Sequence, residues 1–115
     1  SSPGPDVHFR SSIDTGRTKA KELRDAGADL VAAVAHTPFS VDQILARSAG
    51  VDMIVGGHDE HLLTFYDGKT VLTESESQAN WVVVTELAVT KATRDGRTTV
   101  SFVPNFRIID SATVT

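Results

Sequence analysis

The sequence has 115 residues, the length of one small domain, and a chain of this size buries roughly two thirds of its unfolded surface on folding. The net charge is -4, and no run of Lys or Arg offers the basic surface that nucleic acid or an anionic membrane would bind. The absence of cysteine excludes disulfides and thiolate zinc sites, so a metal would be held by His, Asp, Glu or Asn. No apolar segment approaches the roughly 18 residues of a transmembrane helix. We therefore expect a globular protein with neither a nucleic-acid nor a membrane partner.

The chain divides into one domain and two short ends. Residues 1–6 are rich in Ser, Pro and Gly, which predicts a flexible lead-in. Residues 7–110 contain neither an internal repeat nor a linker, so they are predicted to form a single unit. Within this unit, Val7 and Phe9 alternate with polar residues and indicate a short strand. Residues 111–115 form a polar tail.

The first half of the domain has the pattern of a helix-strand-helix-strand unit. A helix is predicted from 13 to 27, because small or apolar residues recur there every three or four positions. Asp14 or Thr15 is its expected N-cap, and Gly27 is expected to take the left-handed conformation that ends it. The apolar run 29–35 predicts a parallel strand that is buried on both faces.

A second helix and strand follow in the same order. Ser40 and Gln43 form a capping box, which predicts a helix that ends at Gly50. Residues 51–55 then form a strand that is expected to neighbour strand 29–35 in parallel. His36 and His58, which follow these two strands, are thus expected at the same edge of the sheet.

The second half of the domain is β-rich. Residues 62–66 and 70–73 are predicted to form a hairpin around Asp67-Gly68, and 74–77 are interpreted as a solvated loop. Strands are predicted at 81–90 and 98–103, with a turn at 94–97, an interruption at Pro104 and a last short strand at 106–109. The expected fold class is therefore α/β (α+β), with the helix-strand-helix-strand unit followed by β-hairpins.

The residues that carry chemistry are concentrated in Gly56-Gly57-His58-Asp59-Glu60-His61. Two histidines and two carboxylates follow the strand closely, and His36 is expected nearby. Imidazole and carboxylate together suit Zn, Mn, Fe or Co, so His36, His58 and Glu60 are the candidate ligands of a divalent metal. Asp59 is interpreted as a solvated carboxylate or one that orients an imidazole. Each histidine alone is also explained as a satisfied polar residue at a strand end.

Residues 27–36 and 51–59 together resemble the calcineurin-like metallophosphoesterase superfamily, in its 5'-nucleotidase branch. The resemblance extends over 7–110 and covers the C-terminal half of the catalytic domain, which implies a partial metallophosphoesterase sandwich. It also implies hydrolysis of phosphomonoesters, such as nucleotides, or of cyclic phosphodiesters by a metal-activated hydroxide. The residues themselves leave the compartment open, whereas the resemblance implies a periplasmic or extracellular location.

The resemblance implies metal-binding roles for individual residues. His36 resembles the isolated histidine of the family, and His58 resembles the first histidine of its Gly-His-x-His motif, which binds the same metal. Glu60 stands where the second histidine of that motif would serve the other metal, and glutamate favours harder cations. His61 comes one residue late, and in an extended segment a one-residue offset turns the side chain to the opposite face, although a local bulge would bring it back.

The family motifs Asp-x-His, Gly-Asp and Gly-Asn-His-Asp/Glu are missing from this chain. Asp6-Val7-His8 matches the first motif in letters, but no buried strand precedes it, and we interpret the match as chance. We therefore expect half of a metal site, with no catalytic residue assigned and no activity for this chain alone. Its uncovered sheet edges predict association with a missing N-terminal half or with itself. The alternative is a non-catalytic metal-binding or oligomerising domain.

Overall fold

A computed structural model describes residues 3–114 and shows two helices, a four-stranded sheet and a long hairpin. The helices are α1 (Ser12–Asp25) and α2 (Phe39–Ser48). The sheet contains β1 (Ala32–Val34), β2 (Met53–Val55), β3 (Leu62–Tyr66) and β4 (Val71–Ser75). The hairpin contains β5 (Trp81–Arg94) and β6 (Arg97–Asp110), and a short 3-10 helix, Ser111–Thr113, follows it. The predicted α/β (α+β) class, with a helix-strand-helix-strand unit ahead of hairpins, is confirmed.

The strands of the sheet lie in the order β1-β2-β4-β3. β2 runs parallel to both β1 and β4, and β3 runs antiparallel to β4, so the two strands that precede the histidines are neighbours. Ala33, Ile54 and Leu72 stand in register across the three parallel strands. They pack with Ala20 of α1 and Leu45 of α2, so the core lies between the helices and one face of the sheet.

The other face of the sheet is covered unevenly. Thr73 of β4, Val55 of β2 and Val34 of β1 stand in register on that face, and they are 3%, 37% and 87% exposed. β5 contacts β4, whereas β1 is an edge strand at the far side. The prediction that strand 29–35 is buried on both faces is therefore wrong, because the helices cover only the face that carries Ala33. The strand is also shorter than predicted.

The ends of α1 agree in part with the sequence. Ser11 is the N-cap, since its hydroxyl accepts a hydrogen bond from the Asp14 amide at 3.2 Å, so the predicted capping by Asp14 or Thr15 is wrong. Asp14 instead lies in the first turn, where a carboxylate favours the positive end of the helix dipole. Gly27 has a φ of +98° just beyond the helix, as predicted.

The start of α2 differs from the predicted capping box. Pro38 is the N-cap and has no side-chain hydrogen bond, and Phe39 is the first helical residue, so Ser40 already lies inside the helix. Proline fixes its own φ near the value that a helix start requires, which explains the earlier beginning. Gly50, with a φ of +71°, follows the helix as predicted.

β5 and β6 form one continuous ribbon from Trp81 paired with Asp110 to Arg94 paired with Arg97. The predicted interruption at Pro104 is wrong, because Pro104 pairs with Leu87 inside β6. In a two-stranded ribbon alternate amides point away from the partner, so a proline is tolerated at such a position. The ribbon is tied to the sheet by a hydrogen bond from the Tyr66 hydroxyl to the Phe102 carbonyl at 3.2 Å.

The ends of the described chain add little to the sheet. The strand predicted around Val7 and Phe9 is absent from residues 3–114, and the Phe9 side chain is 81% exposed. Ser1 and Ser2 of the predicted lead-in and Thr115 of the predicted tail lie outside the described residues. Across residues 3–114, no helix has the length and apolar character to cross a membrane.

The burial of Ile54 predicts how much stability is lost when its side chain is truncated. Its side chain is fully buried in the core, so Ile54→Ala should lower the free energy of unfolding by about 2–5 kcal/mol through lost burial and the cavity left behind. Chemical denaturation followed by circular dichroism would measure the loss. Val103→Ala on the ribbon, where the side chain is 67% exposed, is the control and should change it by less than about 0.5 kcal/mol.

Candidate functional site

Two histidines meet at the edge of the sheet where β1 and β2 end. Val34 and Val55, the last residues of these strands, are in register, so the segments that follow them leave the sheet side by side. The His36 and His58 rings lie with their centroids 5.1 Å apart and their planes at 83°. Both residues are exposed to solvent. The structure thus brings together two of the three predicted metal ligands.

The third predicted ligand, Glu60, does not complete a metal centre. Within residues 3–114 no three or more His, Asp or Glu side chains are grouped so that they would hold a metal ion. Two imidazoles suit a borderline divalent metal, but protein zinc sites use three or four protein ligands. His36 and His58 therefore fit part of a metal centre, and metal binding by these residues and by Glu60 remains a prediction.

The backbone at Glu60 is left-handed, and this sets the direction of His61. Glu60 has a φ of +56°, so the segment is not extended, and the side-chain alternation of an extended strand does not apply to it. The His61 amide donates to Oε2 of Glu74 at 3.1 Å, and its Nδ1 lies 3.8 Å from the same oxygen. The His61 ring also meets the Phe39 ring edge-on, with 6.0 Å between centroids. His61 is thus directed to Glu74.

Asp59 connects the two loops that carry the histidines. Its Oδ2 accepts a hydrogen bond from the amide of Phe39, the first residue of α2. A carboxylate at a helix N-terminus satisfies a free amide and interacts favourably with the helix dipole. Asp59 therefore caps α2 from the loop of His58, a role that its own segment of sequence does not reveal.

Two buried carboxylates lie behind the histidines. Asp42 is fully buried and Glu74 is 1% exposed, which corrects the prediction that Glu74 belongs to a solvated loop. The Thr37 hydroxyl donates to Oδ1 of Asp42, and the His61 amide donates to Oε2 of Glu74. The second oxygens, Asp42 Oδ2 and Glu74 Oε1, have no hydrogen-bond partner among the described residues.

Both free oxygens face Gly56. A Cβ atom at Gly56 would lie 2.9 Å from Oδ2 of Asp42 and 3.1 Å from Oε1 of Glu74. The first distance is shorter than Cβ contacts normally are and the second is tight, so a side chain at this position would require one of the two carboxylates to shift. Packing therefore favours Gly56 over a larger residue.

Neither buried acid is among the residues predicted from the sequence, although Asp42 gives a signal there. Asp42 lies three and seven residues before Leu45 and Ala49, on the buried stripe of α2. A carboxylate within an apolar stripe marks a buried polar contact. Glu74 ends a run of four buried residues in β4, and only the three-dimensional packing distinguishes it from an exposed strand end.

The environment of Asp42 favours its protonated form. Burial raises the pKa of Asp42 above its ordinary value, and the negative charges of Glu74 and Asp59 raise it further. The hydrogen bond from Thr37 and the charge of His58 act in the opposite direction on this pKa. Burial is the largest cause, so ionised Asp42 costs stability in the folded state.

The space at Gly56 predicts different effects of alanine at two adjacent glycines. Gly56→Ala would force the Asp42 or Glu74 side chain to move, and we expect a loss of about 1–3 kcal/mol in the free energy of unfolding. Gly57→Ala is the matched control, because no atom lies within 4 Å of a Cβ there. Denaturation curves of the two variants would be compared, and equal stabilities would contradict the packing described.

The raised pKa of Asp42 predicts how stability depends on pH. A carboxyl with a raised folded-state pKa contributes stability that is present at low pH and is lost as the pH rises through that pKa. Asp42→Asn removes this loss, so the variant should gain stability over wild type at pH 7, and the difference should shrink as the pH falls below the folded pKa. Urea denaturation between pH 3 and pH 7 measures the difference, and a gain that is constant with pH would contradict this reasoning.

Comparison with curated proteins identifies 5'-nucleotidases as relatives. The chain is 39% identical over 75 residues to snake venom 5'-nucleotidase from Crotalus adamanteus, 37% identical over 70 residues to 5'-nucleotidase from Diplobatis ommata, and 30% identical over 64 residues to 5'-nucleotidase from Homo sapiens. These segments cover 64%, 60% and 55% of this chain, but only 12%, 12% and 11% of the relatives. Neither a family model nor a solved structure matches the chain. The resemblance to 5'-nucleotidases is thus confirmed, and the similarity is consistent with a fragment of a 5'-nucleotidase-type domain.

Proposed function

We propose that the chain is part of a metal-dependent phosphoesterase of the 5'-nucleotidase type, in which His36 and His58 bind one divalent metal. The observation that carries this proposal is the meeting of two imidazoles whose ring centroids are 5.1 Å apart, in a chain similar to 5'-nucleotidases. Zn, Mn, Fe and Co all accept imidazole nitrogen together with carboxylate oxygen. Bound there, the metal would supply Lewis acidity toward a phosphoryl oxygen.

The residues around the histidines prepare the site for a cation. Asp59 holds the His58 loop against the start of α2, next to the loop of His36. The acidic side chains Asp42, Asp59 and Glu74 lie near this edge, so the local charge favours a metal over an anion. Glu60 is the proposed third ligand, and its carboxylate would reach the metal only after a change in its loop.

The names of the relatives support a proposal for the substrate class. We propose a nucleotide or another phosphomonoester, or a cyclic phosphodiester, as the substrate of the complete domain. We propose an extracellular or periplasmic location, and the name snake venom 5'-nucleotidase of several relatives supports the extracellular one. This chain alone is proposed to be inactive, since two imidazoles and one carboxylate do not build the bridged metal pair of the calcineurin-like metallophosphoesterases that the sequence resembles.

The exposed part of the sheet favours association of this chain. Val34, which is 87% exposed, lies on the open face of β1, at the free edge of the sheet. An apolar edge of this kind favours pairing with another strand. We propose that the remainder of the phosphoesterase domain, or a second copy of this chain, covers it. The same edge also suits the alternative function, a non-catalytic metal-binding or oligomerising domain.

Calorimetric titration with Mn²⁺ and Zn²⁺ tests the proposed metal site. Wild type should bind one ion, and His36→Ala and His58→Ala should each abolish or strongly weaken the binding, because each removes one of the two imidazoles that meet at this edge. His8→Ala is the matched control, since His8 is exposed and lies outside the helices and the sheet. Identical heats in all four proteins would reject the site.

An activity assay with nitrophenyl phosphate separates the two candidate functions. The chain alone should show no turnover with either metal, because the ligands for a second metal are missing from it. Metal-dependent turnover that His58→Ala abolishes would show that this chain is active by itself. Addition of the remaining part of the domain should restore turnover if the chain is part of an enzyme, and should have no effect if it is a binding module.

A further inference from the structure

The buried acids Asp42 and Glu74 each hold one of the two histidine loops. Asp42, on α2, accepts a hydrogen bond from the hydroxyl of Thr37, the residue directly after His36. Glu74, on β4, accepts a hydrogen bond of 3.1 Å from the amide of His61. His61 lies at the end of the loop that carries His58. One oxygen of each carboxylate is therefore fixed to a loop, and the other oxygen faces Gly56.

A purely structural role explains these acids poorly. A buried carboxylate without a cationic partner costs stability, and an apolar side chain of similar volume usually fills such a place at lower cost. In the described part of the chain neither acid pairs with Lys or Arg. The imidazole of His61 lies 3.8 Å from Glu74, and His58 acts on Asp42 only electrostatically. Asp42 and Glu74 thus lower stability, while each still binds a loop of the candidate site.

We propose that Asp42 and Glu74 are positioning residues for the His36–His58 pair, which they hold through Thr37, His61 and the contact at Gly56. This inference rests on the proposed metal site and adds to it two buried residues that hold the loops of its ligands. Groups behind the ligands of a metal centre orient those ligands, and their loss typically weakens metal binding by roughly 10-fold to 100-fold. Here the carboxylates act on the backbone and the hydroxyl of the loops.

The test uses substitutions that should weaken metal binding without lowering thermal stability, so that loop positioning is separated from folding. Glu74→Leu removes the acceptor for the His61 amide but replaces a buried polar group that has one unpartnered oxygen with an apolar group, so thermal stability should hold or rise. Thr37→Val removes the hydroxyl that Asp42 binds without changing the shape of the side chain. Both variants should bind Co²⁺ roughly 10-fold to 100-fold more weakly than wild type, with an altered visible absorption spectrum.

The conservative variants Asp42→Asn and Glu74→Gln keep an acceptor oxygen for each loop, so they should bind Co²⁺ with the wild-type spectrum. Asp52→Asn is the matched control at the opposite end of β2, where the carboxylate accepts the Val31 amide at 2.7 Å and pairs with Arg24. It should lower thermal stability and leave Co²⁺ binding unchanged. Folded Thr37→Val or Glu74→Leu with wild-type affinity and spectrum would overturn the proposal, and Thr37→Val decides it if Glu74→Leu does not fold.

A measurement without metal distinguishes failure of this inference from failure of the proposed function. Nuclear Overhauser contacts between the His36 and His58 rings should be present in the wild-type chain, because the ring centroids are 5.1 Å apart. These contacts should be lost in Thr37→Val and Glu74→Leu and kept in Glu74→Gln. If wild type shows the ring contact but binds no Co²⁺, the metal site is rejected. The positioning role is then still tested by the loss of the ring contact in the two loop variants. If the ring contact survives in both loop variants, the positioning role is rejected.

Discussion

The approach of two buried carboxylates to the Cα of Gly56 links the parts of the candidate site. Asp42 comes from α2 and Glu74 from β4, and both meet the chain just where β2 ends. A larger side chain at Gly56 would displace one of the two carboxylates, so their close approach depends on glycine there. Because each carboxylate also accepts a hydrogen bond from a histidine loop, such a displacement would disturb those loops.

The sequence predicts those features that depend on neighbouring residues. Gly27 and Gly50 end helices in the left-handed conformation, because a positive φ costs glycine little and most other residues much more. The apolar runs before His36 and His58 predict two parallel neighbours, since such strands are joined through a helix. These local rules were sufficient to place the two histidines at the same edge.

Features that depend on distant contacts were not predictable in this way. Asp59 caps α2 from another loop, so the Ser40–Gln43 pattern within the helix gave the wrong start. Pro104 continues β6 because the ribbon has only two strands, a fact of topology rather than of composition. The left-handed backbone at Glu60 invalidated the alternation argument for His61, which assumed an extended segment.

The uneven cover of the sheet determines the surroundings of the two histidines. Exposure rises from Thr73 through Val55 to Val34, so the chain covers the sheet well at β4 and leaves it open at β1. His36 follows β1, the open edge, whereas His58 follows β2, which is paired on both sides. The pair therefore stands at the boundary between the covered and the open part of the sheet. Groups that complete a metal centre there would most directly come from whatever covers β1.

The charge around His58 bears on what such a centre would bind. The positive charge of His58 lowers the pKa of Asp42, against the larger effect of burial. A positive charge at this position therefore favours the ionised form of Asp42. Glu74 and Asp59, whose charges also act on Asp42, lie in the same region and add to this field. A cation held by His58 would thus relieve the repulsion among the three acids, so that metal binding and ionisation of Asp42 should favour each other.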